Sequence, residues 1–275
     1  MTKILLIVLS LALLAPNFAD VNINGESTYQ QAERYDPQLS YITGLQKLEQ
    51  HTDSIAAQKN ILQGSPEYYV LLEYIISQRF FHGFSHYTLK ENWLAAAGEK
   101  IAGNGLACKV VPEEILKHPE AACSQQAIVM MAIASRKKVD YRSIGFPHHY
   151  TLELKIQGKW YYFDPDMEPD ISAEERSGLS WQSMGASLKK HYASVHYHDF
   201  ESKFGAASSP IAGTVNADPA PRVEFFHGFT SVLSKMLWLF PLMMAMMMSW
   251  KEYRAAVPSL RSYKMNNGRA VLLPA

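Results

Sequence analysis

The sequence predicts an α+β fold in which an apolar helix packs on an antiparallel hairpin, with further helices ahead of it and a hydrophobic helix at the C-terminal end. Three observations predict it. Ala127, Ile128, Met130, Met131, Ile133 and Ala134 give a nearly all-round apolar surface over two turns, ended by Arg136, Lys137 and Lys138, whose charge suits a helix C-terminus. Residues 149–156 and 159–164 alternate as strands about Gln157-Gly158, a two-residue turn with glycine where positive φ is needed. Upstream, Ser65-Pro66-Glu67 supplies an N-cap with proline at the first helical position, followed by the broad apolar face of Tyr69, Val70, Leu72, Tyr74, Ile75 and Ile76.

Taken in order, residues 1–19 are Met-Thr-Lys, an apolar run from Ile4 to Ala15, and Pro16-Asn17-Phe18-Ala19. A charged start, about a dozen apolar residues and a small residue at the end describe an export signal, cleaved after Ala19 or kept as an anchor. Either way the segment is left out of the fold, and the residues after it are expected outside the cytoplasm. Residues 20–63 are polar, and 39–62 read as one or two amphipathic helices. The helix after Ser65 is expected to end near Phe81-His82-Gly83. Residues 89–101 form a third helix, stopped by Gly103-Asn104-Gly105, and these helices are expected to cover the sheet. Trp93 on that helix reads as a core anchor or as a cleft wall.

Cys108 and Cys123 are the chain's two cysteines, with 14 residues between them. In an exported chain that spacing is open to a disulfide worth on the order of 3 kcal/mol, to a reversible redox lock, or to two free thiols. Cys123 and Ser124 stand at the start of the apolar helix, where unpaired backbone N–H groups and the positive end of the dipole favour a thiolate.

In the hairpin register set by Gln157-Gly158, paired positions put Ile156 opposite Lys159 and sort the side chains into two faces. Tyr150, Leu152, Leu154, Ile156, Tyr161 and Phe163 share the apolar one. His149, Thr151, Glu153, Lys155, Trp160, Tyr162 and Asp164 share the other, so Asp164 falls diagonal to His149, at roughly 7–8 Å between backbones. The register selects His149 over His148; a loop of odd length would reverse that choice.

The order Cys123, then His149-Tyr-Thr-Leu-Glu153-Leu, then Gly158-Lys-Trp160 and Phe-Asp164-Pro165 resembles the core of the transglutaminase-like superfamily, the papain-related cysteine enzymes. The resemblance covers residues 123–166. It implies a papain-like arrangement with Cys123 as nucleophile, His149 as base and Asp164 orienting the imidazole, and it implies no metal or organic cofactor. Thr151 stands where the family usually has an aromatic residue. No glutamine lies at the short upstream spacing that papain-type enzymes use for the oxyanion; Lys117 and His118 occupy that neighbourhood.

Residues 167–180 read as an acidic loop, and 181–204 carry His191, His196 and His198 among aromatics, without the cysteine or carboxylate that would complete recognisable zinc spacing. Residues 205–224 are rich in Gly, Ala, Ser and Pro and read as a linker, so that residues 20–204 make up one domain. The run 225–250 is the second strong signal. Residues 236–250 hold no charge, and 228–250 contain the single Lys235, enough for a membrane span if that lysine snorkels. An interfacial helix or a Met-rich hairpin packed on a partner are the alternatives. Lys251, Arg254, Arg261, Lys264 and Arg269 against Glu252 put the tail 251–275 in the cytoplasm, and the domain on the extracytoplasmic, periplasmic side of the cell membrane.

The chain balances 26 basic against 26 acidic residues, so no global field attracts nucleic acid. The expected partners are a peptide or amide-bearing substrate and the membrane. One functional expectation is therefore a membrane-tethered cysteine hydrolase or acyltransferase. The other is a non-catalytic envelope scaffold or assembly factor for a surface polymer, bound to an envelope partner, with Cys108 and Cys123 oxidised.

Overall fold

The computed structural model describes residues 1–30, 33–169, 171–176, 191–192, 204 and 210–269, with side chains as far as residue 256. In chain order the elements are α1 (Thr2–Leu14), α2 (Leu45–Gln58), α3 (Pro66–Arg79), α4 (Leu89–Ala102), α5 (Pro112–Ile115), α6 (Cys123–Arg136), β1 (Asp140–Gly145), β2 (Tyr150–Ile156), β3 (Lys159–Phe163), α7 (Ala173–Arg176), β4 (Ile211–Ala212), α8 (Pro221–Met236) and α9 (Leu239–Arg269). They form two compact units, a larger one of residues 24–86 and 105–226 and a smaller one of residues 1–23, 87–104 and 227–275.

The larger unit is α+β. Its antiparallel sheet has the order β3-β2-β1-β4. The expected hairpin register is observed, with Ile156 opposite Lys159 and Leu152 opposite Phe163. Both turn residues have positive φ, 51° at Gln157 and 82° at Gly158, as a tight hairpin that follows the strand twist requires. One face of the hairpin (Leu152, Leu154, Ile156, Tyr161, Phe163) joins Ala127, Ile128, Met130, Met131 and Ile133 of α6 and residues of α2 and α3 in a single apolar core. The other face is buried as well, because Tyr162 packs with Met167, Ile171, Tyr192 and Phe204 in a second cluster. The sequence pattern revealed the alternation but not this second cover, whose residues come from the segment beyond the hairpin.

Two strands lie outside the sequence expectation. β1 reads Asp-Tyr-Arg-Ser-Ile-Gly, too polar to alternate cleanly. It pairs with β2 along its whole length, and Arg142 forms an ion pair with Glu153 across the ladder at 2.5 Å. β4 falls in the stretch expected to be linker and adds two residues to the sheet edge.

α3 starts as expected, with Ser65 Oγ accepting the Tyr68 N–H at 3.4 Å. It stops at Arg79, whose fully buried guanidinium donates to the carbonyls of Ile42 (3.0 Å) and Leu116 (2.7 Å) and fixes the chain there. The region expected to be one or two helices holds a short 3-10 turn, Pro37–Tyr41, and α2.

α4 was expected to cover the sheet; it belongs instead to the smaller unit, so the expected 20–204 domain is interrupted. The reason lies in its polar side chains. Asn92 breaks the helix with φ −156° and ψ 80°, and its Oδ1 accepts the Ala95 N–H at 3.2 Å, recapping the following turns. Its Nδ2 donates to Thr230 Oγ1 at 2.9 Å, and the Trp93 indole N–H donates to the Ser234 carbonyl at 3.0 Å. A buried amide needs such partners, and α8 supplies them. Trp93 is thus a half-buried anchor of the smaller unit.

Residues 1–19 are also part of that unit. α1 packs on α9, with Ser10 Oγ donating to the Trp238 carbonyl at 2.8 Å, Asn17 Nδ2 to the Ser234 carbonyl at 3.1 Å, and Lys3 paired with Glu252. Among the described residues one helical stretch, Pro221–Ala256, is long and apolar enough to cross a membrane, and only 17% of its apolar window is buried, unlike a core helix. Met243, Met244, Met246, Met247 and Trp250 stay exposed along it.

Candidate active site

Cys123 is the first residue of α6, and a buried glutamine fixes where that helix begins. Gln125 Oε1 accepts the N–H groups of Ala122 (3.1 Å) and Ser85 (2.9 Å), and its Nε2 donates to the carbonyls of Ser85 (3.0 Å) and Lys109 (2.8 Å). All four capacities of the amide are satisfied, so three chain segments are held at the cysteine. The Cys123 backbone N–H, at the first helical position, has no acceptor within its helix and lies at the positive end of the helix dipole.

His149 stands immediately before β2 and Asp164 immediately after β3, and the hairpin brings them together as its register requires. His149 Nε2 lies 2.6 Å from Asp164 Oδ2, and both side chains are fully buried. His148 is exposed, so the choice between the two histidines falls as the register predicted. The Asp164 carboxylate also accepts the Tyr192 hydroxyl at 2.5 Å and the Met167 N–H at 3.2 Å. Its own N–H donates to Glu73 Oε1 at 2.5 Å.

The other imidazole nitrogen, Nδ1, is buried and forms no hydrogen bond to an oxygen or nitrogen among the described residues. A buried nitrogen left open in this way calls for an explanation. Cys123 supplies one, since its Sγ, an imidazole nitrogen of His149 and a carboxylate oxygen of Asp166 all lie within 4.8 Å of one another. Cys123, His149 and Asp164 are therefore brought to one place, with the imidazole between sulfur and carboxylate.

Burial alone would pull the His149 imidazole down; the Asp164 carboxylate, with a further contribution from Cys123, overcomes this and pushes it up to about 10. Burial works against Asp164 as well, yet the imidazolium and the hydrogen bonds from His149, Tyr192 and Met167 hold its carboxyl below the usual range. The sign of the resulting pH dependence follows from linkage. The native state holds the His149 proton above the ordinary histidine range near 6.5, so the pair's contribution is complete below about pH 6.5 and is lost as pH rises toward 10. Thermal melts of the protein from pH 6 to pH 10 are expected to show a falling midpoint, and His149→Gln is expected to flatten that slope.

Four residues of the site escaped the sequence reading. Asp166 closed the stretch 123–166 without a role of its own, yet its nearly buried carboxylate accepts Gln126 Nε2 at 2.9 Å and lies 2.8 Å from His82 Nδ1. Its signal was the repeat of aspartate on either side of Pro165. Glu73, Arg176 and Tyr192 had none, because each reaches Asp164 or its backing across long stretches of chain. Arg176 and Glu73 form a fully buried ion pair at 2.7 Å, and Arg176 Nη1 donates to the Tyr162 carbonyl at 2.7 Å.

Cys108 and Cys123 are not joined in a disulfide, and the Cys108 backbone pairs with that of His86 in an isolated antiparallel β-bridge. Of the three histidines weighed for zinc, His191 is described, whereas His196 and His198 lie outside the described residues. Comparison with protein-family models, with curated proteins and with solved structures finds no match to this chain.

Proposed function

We propose that this protein is a membrane-tethered cysteine enzyme of transglutaminase-like type that transfers acyl groups through Cys123. The observation that carries the reading is the buried imidazole of His149, tied to Asp164 by one nitrogen and left open toward the Cys123 sulfur by the other.

The chemistry closes with these side chains and one acceptor molecule. Nδ1 takes the thiol proton while Nε2–H stays on Asp164, which orients the ring and stabilises the imidazolium. The thiolate adds to an amide or ester carbonyl, and the oxyanion meets the Cys123 backbone N–H at the start of α6. The imidazolium Nδ1–H protonates the departing amine or alcohol, leaving a thioester on Cys123. Water or an acceptor amine, deprotonated by Nδ1, adds to the thioester and releases the acyl group with the thiol restored. Nothing at the site selects an amine, so hydrolysis of a peptide or amide is the assigned outcome. The test is covalent. Incubation with p-nitrophenyl acetate should leave an acetyl group on the Cys123 peptide, seen by mass spectrometry, and none there in His149→Ala; acetylation at lysines alone, equal in both proteins, would refute the reading.

The tether is the stretch Pro221–Ala256. Phe229 to Trp250 is 22 residues, and at about 1.5 Å per residue it matches a hydrocarbon thickness of about 30 Å. The basic residues beyond it orient the tail to the cytoplasm and the site to the extracytoplasmic side. The protein is expected to stay with membranes through high-salt and alkaline washes and to leave them only with detergent. Release by salt would identify a peripheral helix instead.

A further inference from the structure

We infer that Cys123, His149 and Asp166 form a site for a thiophilic divalent cation of the zinc class, and that its occupancy closes the thiol. The inference rests on the reading of Cys123 and His149 as an open thiol–imidazole pair, and it adds Asp166, which the acyl-transfer chemistry does not use.

The three donor atoms lie within 4.8 Å of one another. A tetrahedral zinc bonded at about 2.0–2.3 Å sets its ligands roughly 3.3–3.8 Å apart, so a contraction of about 1 Å brings them into coordination. The donor set is thiolate, imidazole and carboxylate, which zinc accepts together and which calcium and magnesium, seeking oxygen alone, do not. His149 Nδ1 is fully buried and meets no oxygen or nitrogen hydrogen-bond partner among the described residues, only the Cys123 thiol, while its Nε2 is held by Asp164. A carboxylate on the far nitrogen of a ligating histidine is the arrangement that fixes tautomer and ring orientation at metal centres. Asp166 is supported in the same way, by Gln126 Nε2 at 2.9 Å and by His82 Nδ1 at 2.8 Å. Cys123 is partly exposed, leaving an approach for the cation and for a water as fourth ligand.

On entry the cation takes the sulfur lone pair of the thiolate and the Nδ1 lone pair, displacing one proton to solvent while Nε2–H remains on Asp164. The sulfur is then no longer a nucleophile. Occupancy by zinc is therefore a reversible block of acyl transfer at the same atoms.

The experiment measures zinc binding directly and thiol alkylation separately, on the detergent-solubilised full chain carrying Cys108→Ser. Calorimetric titration with Zn²⁺ is expected to give one site per chain. Iodoacetamide labelling of Cys123 is expected to fall at least tenfold with bound zinc, to recover with a chelator, and to ignore Mg²⁺. Asp166→Asn, nearly the same in shape, is expected to weaken zinc binding at least tenfold, and Cys123→Ser more, with folding of each checked by circular dichroism. No zinc binding, zinc binding that both variants leave intact, or zinc binding without protection of Cys123 would each overturn the inference. Zinc binding that follows these variants beside a Cys123 that alkylates no faster than a free thiol without metal would leave the cation site standing and remove the enzyme.

Discussion

Glu73→Ala is expected to destabilise the larger unit by about 3–5 kcal/mol, the cost of breaking a buried ion pair by removing one partner. Arg176 would keep its guanidinium fully buried with the carboxylate gone, and of the described acceptors the Tyr162 and Ile171 carbonyls would remain to it. The Asp164 N–H would lose its acceptor as well. The loss is expected in urea denaturation at pH 8, where the Glu73 carboxyl, pushed up to about 7 by burial against the pull of Arg176, is ionised. Adding Arg176→Ala to Glu73→Ala is expected to cost less than the sum of the two single changes, because the second substitution removes the charge that the first left unpaired. A change below about 1 kcal/mol, within the range of an ordinary surface substitution, would show that this pair does not support the site.

Asp164→Asn is expected to remove most of the upward His149 shift. The amide keeps much of the carboxylate's shape but not its charge, so burial would be opposed by Cys123 alone and the imidazole pKa would fall from about 10. The imidazolium would then be less stable, and the thiolate would be held less firmly by its adjacent cation. Histidine proton resonances followed through a pH titration report the change directly. Alkylation of Cys123 is expected to slow in the same variant, by less than in His149→Ala, since aspartate orients the base and does not itself accept the proton. A His149 resonance that still titrates near 10 in Asp164→Asn would remove the carboxylate as the source of the shift.

What was legible in the sequence was local. The Gln157-Gly158 turn specified the register, the register specified the faces, and the faces chose His149 over His148 and aimed Asp164 at it. The apolar run after Cys123 specified a buried helix with the cysteine at its first position. What was not legible was every partner distant in sequence. Glu73 reaches Asp164 across 91 positions and Tyr192 across 28, and nothing in a helical or strand period marks either. Glu73 looked like one charge on a helix whose neighbours are nearly all apolar, and only its Arg176 partner explains how it is buried. The same limit applied to α4. The helix over 89–101 was readable, but the destination of its polar face was decided by Thr230 and Ser234, more than a hundred residues away. Asp166 is an intermediate case, two residues from a predicted site residue and drawn into the site by the bend at Pro165.

The most direct test of the central claim is the rate at which Cys123 reacts with iodoacetamide at neutral pH in the native protein and in His149→Ala, with Cys108→Ser in both to leave a single thiol. The thiol–imidazole pair predicts that removing the base slows the reaction by about 10²-fold or more, in line with the usual contribution of a positioned proton acceptor, while circular dichroism stays unchanged. Equal rates in the two proteins, both those of a free cysteine, would mean that His149 does not act on Cys123 and that the site is not a working nucleophile.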